Sequence, residues 1–281
     1  MKTIGFVDYY ISEWHANNYP KWIKEACEKA ALDFEVKYVW AEEYVSPVSG
    51  ENTDEWCKRF GAVHCESIDE LCEKCDFIII LAPSNPEKHL SYAEAVLKWG
   101  KRTYIDKTFA PDYSTAKKIF ELGEKYGAKL FSSSALRYSP ALDGLENSVF
   151  VTTFGCGSNF EEYIVHQCEM VIAVLKCKPL FARVEKQGGQ YLCSVKLAEG
   201  REATMIYSPT IPYAINAEFE SGGAQYRTAE GGHFERLISD IISFFDGKDC
   251  SFDSGETLDV MKLREAVIKG VSRLGEWIEI E

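Results

Sequence analysis

No apolar run in the 281-residue chain approaches the length of a membrane span, and Met1-Lys2 leads into a strand-like segment instead of a secretory leader. Positive charge is in short supply: 31 Lys and Arg stand against 44 Asp and Glu, a formal net charge of -13. That balance argues against nucleic acid or an anionic membrane as partner. Internal repeats and low-complexity tracts are missing as well. The ten cysteines build no disulfide framework, since they are dispersed among strand and helix patterns, and a reducing, cytoplasmic location is expected. The one local cluster is His64, Cys65, Cys72 and Cys75. Its single Cys-x-x-Cys lacks a second pair at ligand spacing, so no metal is expected there, and Ser67 with Glu70 reads as a helix capping box.

What is present is organised around Asp76 to Leu142. The apolar run Phe77 to Ala82, bounded by turn residues, reads as a strand buried on both faces. Pro86 and Glu87 suit the first turn of a helix that carries Leu90, Ala93, Val96 and Leu97 inward and stops at Gly100. Arg102 to Ile105 reads as the next strand, followed by a helix from Pro111-Asp112 to Gly127 and a third strand at Ala128 to Ser132. Strand, helix, strand, helix, strand is the signature of an open parallel sheet, whose ligands sit beyond the carboxyl ends of the strands. Those ends carry Pro83-Ser84-Asn85 with His89, then Asp106-Lys107-Thr108, then Ser132-Ser133-Ser134 leading to Arg137-Tyr138-Ser139-Pro140. Lys107 stands out, because a lysine directly after a buried strand can aim its ammonium into a cleft. A plain solvated lysine is the competing reading.

These residues resemble the glucose-fructose oxidoreductase / inositol dehydrogenase (Gfo/Idh/MocA) family. Asp106-Lys107-Thr108 stands where the family usually shows Glu-Lys-Pro; Pro83, Asn85 and His89 echo its Pro-Asn-x-x-His; Arg137, Tyr138 and Pro140 match its Arg-(Phe/Tyr)-x-Pro. The resemblance implies an α/β Rossmann-type parallel-sheet domain, 1–136, followed by an α+β substrate and oligomerisation domain with a largely antiparallel open sheet, 137–281. It implies NAD or NADP as cofactor, a sugar, polyol or related hydroxy compound as substrate, and a homo-dimer or homo-tetramer. It also implies roles: Lys107 and His166 in catalysis with Glu162 orienting the histidine, Asp8, Tyr10, Ile11, Glu42, Pro83, Asn85, His89 and Asp106 near the cofactor, and Arg137, Tyr138 and Tyr163 near the substrate. Glu162 and His166 correspond to the family's Asp-x-x-x-His pair, and residues four apart share a helix face.

One departure bears on the cofactor. After the first strand, Thr3 to Val7, the family's Gly-x-Gly-x-x-Gly positions read Asp8, Tyr10 and Glu13, with His15 just beyond. Glycines there allow a tight turn and close approach of backbone to pyrophosphate, and a carboxylate beside a phosphate is unfavourable by about 1–4 kcal/mol. The second strand, Phe34 to Trp40, leads to Glu42 and Glu43, either of which could meet a ribose. A descendant of the family that no longer holds a dinucleotide normally, and binds ligand, does acid-base chemistry or partners another protein, is the alternative function.

Beyond Val149 to Phe154 and the helix holding His166, strand-like stretches around 180–186, 190–197, 203–208 and 214–220 are joined by hairpin turns at Gly188-Gly189 and Glu199-Gly200. Two helices follow, one carrying Phe234, Leu237, Ile238, Ile241, Ile242 and Phe245, the other running from Ser254 through Leu274 to an acidic tail. His233 is a weak site candidate.

Overall fold

The computed structural model describes residues 1–281. In chain order the elements are β1 (Lys2–Asp8), α1 (Trp14–Ala30), β2 (Phe34–Ala41), α2 (Thr53–Phe60), β3 (Val63–His64), α3 (Ile68–Lys74), β4 (Phe77–Ile80), α4 (His89–Leu97), β5 (Thr103–Asp106), α5 (Tyr113–Tyr126) and β6 (Leu130–Ser133). There follow β7 (Ser148–Gly155), α6 (Phe160–Leu175), β8 (Pro179–Gln187), β9 (Gln190–Leu197), β10 (Glu202–Tyr207), β11 (Ala214–Phe219), β12 (Ala224–Thr228), α7 (His233–Phe245), α8 (Ser254–Val271) and β13 (Trp277–Glu279). No helix is long and apolar enough to cross a membrane. The chain divides into two units, 1–133 with 237–251, and 134–236 with 252–281. The sequence suggests a single cut after residue 136, but the chain returns to the first unit through most of α7.

The first unit is built on a six-stranded parallel sheet in the order β3-β2-β1-β4-β5-β6. Its inner strands show no polar alternation: Ile78, Ile79 and Ile80 are fully buried, and so is every residue of β5, as helices on both faces require. Helix ends are set locally. Asp112 accepts from the Thr115 amide at 2.7 Å to start α5, and Gly127 at φ 64° ends it. The apolar face of α7 completes the core. Phe245 stacks on Phe77 and Phe244 meets Phe131, while the Arg102 guanidinium donates to the carbonyls of Phe244, Gly247 and Lys248 at the helix end.

Local corrections follow from backbone detail. β4 ends at Ile80, because Ala82 turns to φ 53° and sends its N–H to Asp8. Pro86–Lys88 is a 3-10 turn ahead of α4. Ser67 does cap α3, but Glu70 reaches back to the Glu66 amide, so the reciprocal half of the box falls one residue earlier. The full capping box is at Asn52 and Glu55 of α2.

The second unit holds a seven-stranded sheet in the order β12-β11-β7-β10-β9-β8-β13, antiparallel except for β7 with β10. One face is covered: Ile164, Cys168 and Val171 of α6 and Leu263 and Val267 of α8 share a core with Val184, Val195 and Met205. The expected α+β class with a largely antiparallel sheet is what forms. β12 and β13 went unforeseen, since β12 is exposed along nearly its whole length and gives no apolar alternation. Leu274 lies past the end of α8 and is exposed, and the acidic tail pairs as β13 with β8.

Candidate functional site

Parallel strands bring Asp8, Ala82 and Asp106 to one edge of the first sheet. Asp8 is buried; its Oδ1 accepts from the Tyr9 amide at 2.7 Å and the Ala82 amide at 2.9 Å, and its Oδ2 has no partner. Burial pushes the Asp8 carboxyl well above the usual range, and the charges of Glu13 and Asp106 push it the same way. Asp106, equally buried, accepts through Oδ1 from the Lys107 amide at 2.9 Å and the Tyr104 and Tyr19 hydroxyls at 3.1 and 3.4 Å. Its Oδ2 meets His15 Nδ1, whose ring stacks on Tyr19. Burial pushes Asp106 up, but the His15 imidazole and Lys107 outweigh it and hold the carboxyl below its ordinary range.

Glu13 is the cap of α1. Its carboxylate accepts from the Ala16 amide and, at 2.8 Å, from the His15 amide. Burial pushes this carboxyl up, against the pull of His15 and the two amides. The resemblance places a pyrophosphate at this helix start. The amides it would need are already held by Glu13, and Asp8 occupies the first glycine position, so the residues present do not fit a dinucleotide in that seat.

The other cofactor candidates are distributed as follows. Ile11 is buried, and Tyr10 is half-buried with its ring 5.9 Å from that of Tyr9. Glu42 is engaged by the Lys88 ammonium and by the Tyr92 hydroxyl at 2.7 Å. Asn85 donates to Glu87 at 3.0 Å, and the Pro83 carbonyl accepts from Lys107 Nζ at 3.2 Å. His89 is fully buried, its ring set between the Leu81 carbonyl at 2.6 Å and the Phe109 carbonyl at 3.0 Å, and burial lowers its pKa. It braces two loops from the interior. Lys107 is half-buried beside them, and its peptide to Thr108 is cis.

The cysteine cluster is interior. Cys65, Cys72 and Cys75 are buried, and burial pushes the Cys72 and Cys75 thiols up to about 12. The Lys101 ammonium donates to the carbonyls of Cys72 and Cys75 at the end of α3. His64 pairs with Asp54 at 2.8 Å.

In the second unit, α6 presents the other group. His166 is half-buried, with Nδ1 2.6 Å from Ser134 Oγ and its ring flanked by Tyr163 and Tyr213. Ser134 is itself buried, donates its amide to Glu169 at 3.0 Å and accepts from the Leu136 amide at 3.2 Å. Glu162 serves the start of α6: its amide donates to Asn159 Oδ1 at 2.8 Å and its carboxylate accepts from Asn159 Nδ2 at 3.0 Å. The loop before α6 is held by Tyr213 and Tyr207, whose hydroxyls donate to the carbonyls of Cys156 and Gly157. A Cβ at Gly157 would come within 1.9 Å of the Tyr163 ring, so only glycine fits there. Arg137 is buried: Nε donates to Glu169 and Nη1 to Glu256, both at 2.7 Å, over the face of Phe252 at 4.0 Å. Tyr138 is half-buried next to it, and His233 is half-buried at the start of α7, with its pKa lowered by burial. The sequence reading missed Ser134 and Glu169 as partners. A carboxylate between Cys168 and Met170 on an apolar helix was the available signal, because a buried charge requires a partner.

The architecture defines a Rossmann-type parallel-sheet unit and an α+β unit with a mostly antiparallel sheet. Residues 43–134 match the Gfo/Idh/MocA model, described as an oxidoreductase family with an NAD-binding Rossmann fold. The fold is shared along the full length with solved structures. Myo-inositol dehydrogenase from Lactobacillus casei, in complex with NAD(H) and myo-inositol, is similar at TM-score 0.81 and 11% identity, over 100% of this chain and 97% of that one. Apo scyllo-inositol dehydrogenase from the same organism gives 0.78 and 10%, over 100% and 98%. An NAD binding oxidoreductase from Klebsiella pneumoniae gives 0.77 and 12%, over 100% and 99%. None of the curated proteins matches the chain in sequence.

Proposed function

We propose that this chain acts on a sugar, polyol or related hydroxy compound as an oxidoreductase-family protein, with Lys107 and His166 as its proton-handling groups. The observation that carries the reading is the placement of Lys107 at the carboxyl end of β5, its amide fixed by Asp106 and its ammonium held at the Pro83 carbonyl. There the ammonium can donate to a substrate hydroxyl oxygen and lower that hydroxyl's pKa. Ser134 on Nδ1 fixes the His166 ring, so Nε2 is the atom that exchanges a proton, and Glu162 steadies the helix start that presents it. NAD or NADP is the cofactor that the family match points to, and neighbours solved with NAD(H) support it. No hydride step is assigned to this chain, because Glu13 holds the amides of the usual pyrophosphate seat. That same contact favours a second reading, a descendant that uses the Lys107 and His166 chemistry without redox. The ten cysteines, all free thiols, accord with a reducing, cytoplasmic compartment, and a homo-oligomer is proposed from the family resemblance alone.

The test is a turnover screen of polyols, sugars and sugar acids, run with each of NAD⁺, NADH, NADP⁺ and NADPH and without any of them. Lys107→Met is expected to lower turnover of whichever substrate emerges by about 100-fold or more, the usual worth of positioned acid-base catalysis. Its melting temperature should stay close to that of the parent, since the side chain is half-buried with one hydrogen bond to a carbonyl. Retained turnover in Lys107→Met would return the residue to the surface and remove the reading.

A further inference from the structure

We infer that Glu13 is a built-in anion that occupies the dinucleotide's pyrophosphate seat, so that this chain does not hold NAD(P) by the helix start its fold provides. A helix N-terminus offers unsatisfied amides and a partial positive charge to one anion at a time. Here the anion is intramolecular: one Glu13 oxygen takes the Ala16 amide and the other takes the His15 amide. The loop that carries Glu13 is itself anchored. Ile11 is buried, Ser12 Oγ donates to Glu51 at 2.7 Å, Ser46 Oγ donates to the Ser12 carbonyl at 3.0 Å, and Arg59 holds Glu51. The electrostatics reinforce the steric point. Asp8, Glu13 and Asp106 influence one another's titration; of the basic side chains beside them, His15 is bound to Asp106, and Lys107, which also acts on Asp106, donates its Nζ to the Pro83 carbonyl. A pyrophosphate at the α1 start would come up against these carboxyls.

The inference concerns the α1 turn alone and does not rest on Lys107 or His166. Loss of the proposed function through the Lys107→Met result would leave it standing. The experiment is calorimetric titration of purified, cofactor-stripped protein with the four dinucleotides and with inorganic pyrophosphate, on wild type, Glu13→Gly and Glu13→Ser. Both replacements are good helix caps and free the carboxylate's space, and circular dichroism reports that each variant is folded. Wild type is expected to bind none of the probes at micromolar concentration. Glu13→Gly and Glu13→Ser should bind at least one dinucleotide about tenfold tighter or more, with inorganic pyrophosphate competing, as removal of one like charge predicts. Micromolar binding of any dinucleotide by wild type would overturn the inference. So would folded Glu13 variants that bind no more tightly than wild type, because the carboxylate would then not be what closes the seat.

Discussion

Arg137→Met is expected to lower the unfolding free energy by about 3–5 kcal/mol, the cost of removing one partner of a buried ion pair. The guanidinium is the cation paired with Glu169, and both side chains are nearly inaccessible, at 6% and 4%. Without Arg137, Glu169 keeps only the Ser134 amide and must either remain ionised in the core or take up a proton. Burial already pushes the Glu169 carboxyl upward, with Arg137 as the main opposing influence, so the variant would neutralise at higher pH. Glu256 is 23% accessible and loses less. Arg137→Lys should recover only part of the loss, since an ammonium cannot span two carboxylates as a planar fork does. The double variant Arg137→Met with Glu169→Met should lie well above the sum of the two single changes, because an apolar pair leaves no orphaned charge. Urea unfolding of wild type, Arg137→Met, Arg137→Lys, Glu169→Met and the double variant measures this. A single-variant loss under about 1 kcal/mol would show that the pair is solvated in a way its burial does not suggest.

Arg137 also shows where sequence reading reaches its limit. The Arg-Tyr-x-Pro pattern located it at the end of β6, but its partners are 32 and 119 residues away, and no local periodicity announces a pairing at that range. By contrast, much that depends on neighbours in sequence was legible. The isoleucine run of β4, the Asp112 and Gly127 ends of α5 and the apolar face of α7 each follow from local period and cap chemistry. The Glu162-x-x-x-His166 spacing correctly put both side chains on α6, yet the atom that meets His166 Nδ1 belongs to Ser134, which only the tertiary fold brings there. Glu13 was legible in one respect. Its charge opposite a phosphate was foreseeable from spacing, whereas its use as a helix cap was not, because glutamate is outside the short side chains that ordinarily cap. Of the two missed strands, β12 is exposed along nearly its whole length and β13 is three residues long with only Ile278 buried, so both take their conformation from the strands they pair with.

Asp106→Ala is expected to cost about 3–5 kcal/mol at neutral pH, because it removes the carboxylate reached by the buried Tyr19 and Tyr104 hydroxyls, leaving Tyr104 its Ser133 carbonyl, and strips the charge partner from His15. The pH dependence carries the sharper information, since two buried carboxyls in one cluster should act with opposite sign. Asp106 titrates below its ordinary value of 3.8 in the folded chain. The unfolded chain therefore takes up the proton first as pH falls, and the stability that ionised Asp106 contributes is present above 3.8 and lost as pH drops through the folded value. The Asp106→Ala penalty should accordingly shrink on acidification. Asp8 is the reverse case. Its folded pKa is raised well above 3.8, so the native state holds the proton longer and stability declines as pH rises from 3.8 toward that raised value. Asp8→Asn keeps an acceptor for the Tyr9 and Ala82 amides and removes the ionisation, so its stability relative to wild type should improve as pH rises across that window. Urea unfolding of wild type, Asp106→Ala and Asp8→Asn across a series from about pH 3 to 8 separates the two, since each carboxyl contributes about 1.4 kcal/mol per unit of its own shift. Difference curves of the same slope for both variants would mean that the cluster titrates as a single unit. The assignment of the negative charge to Asp106 and the proton to Asp8 would then fail.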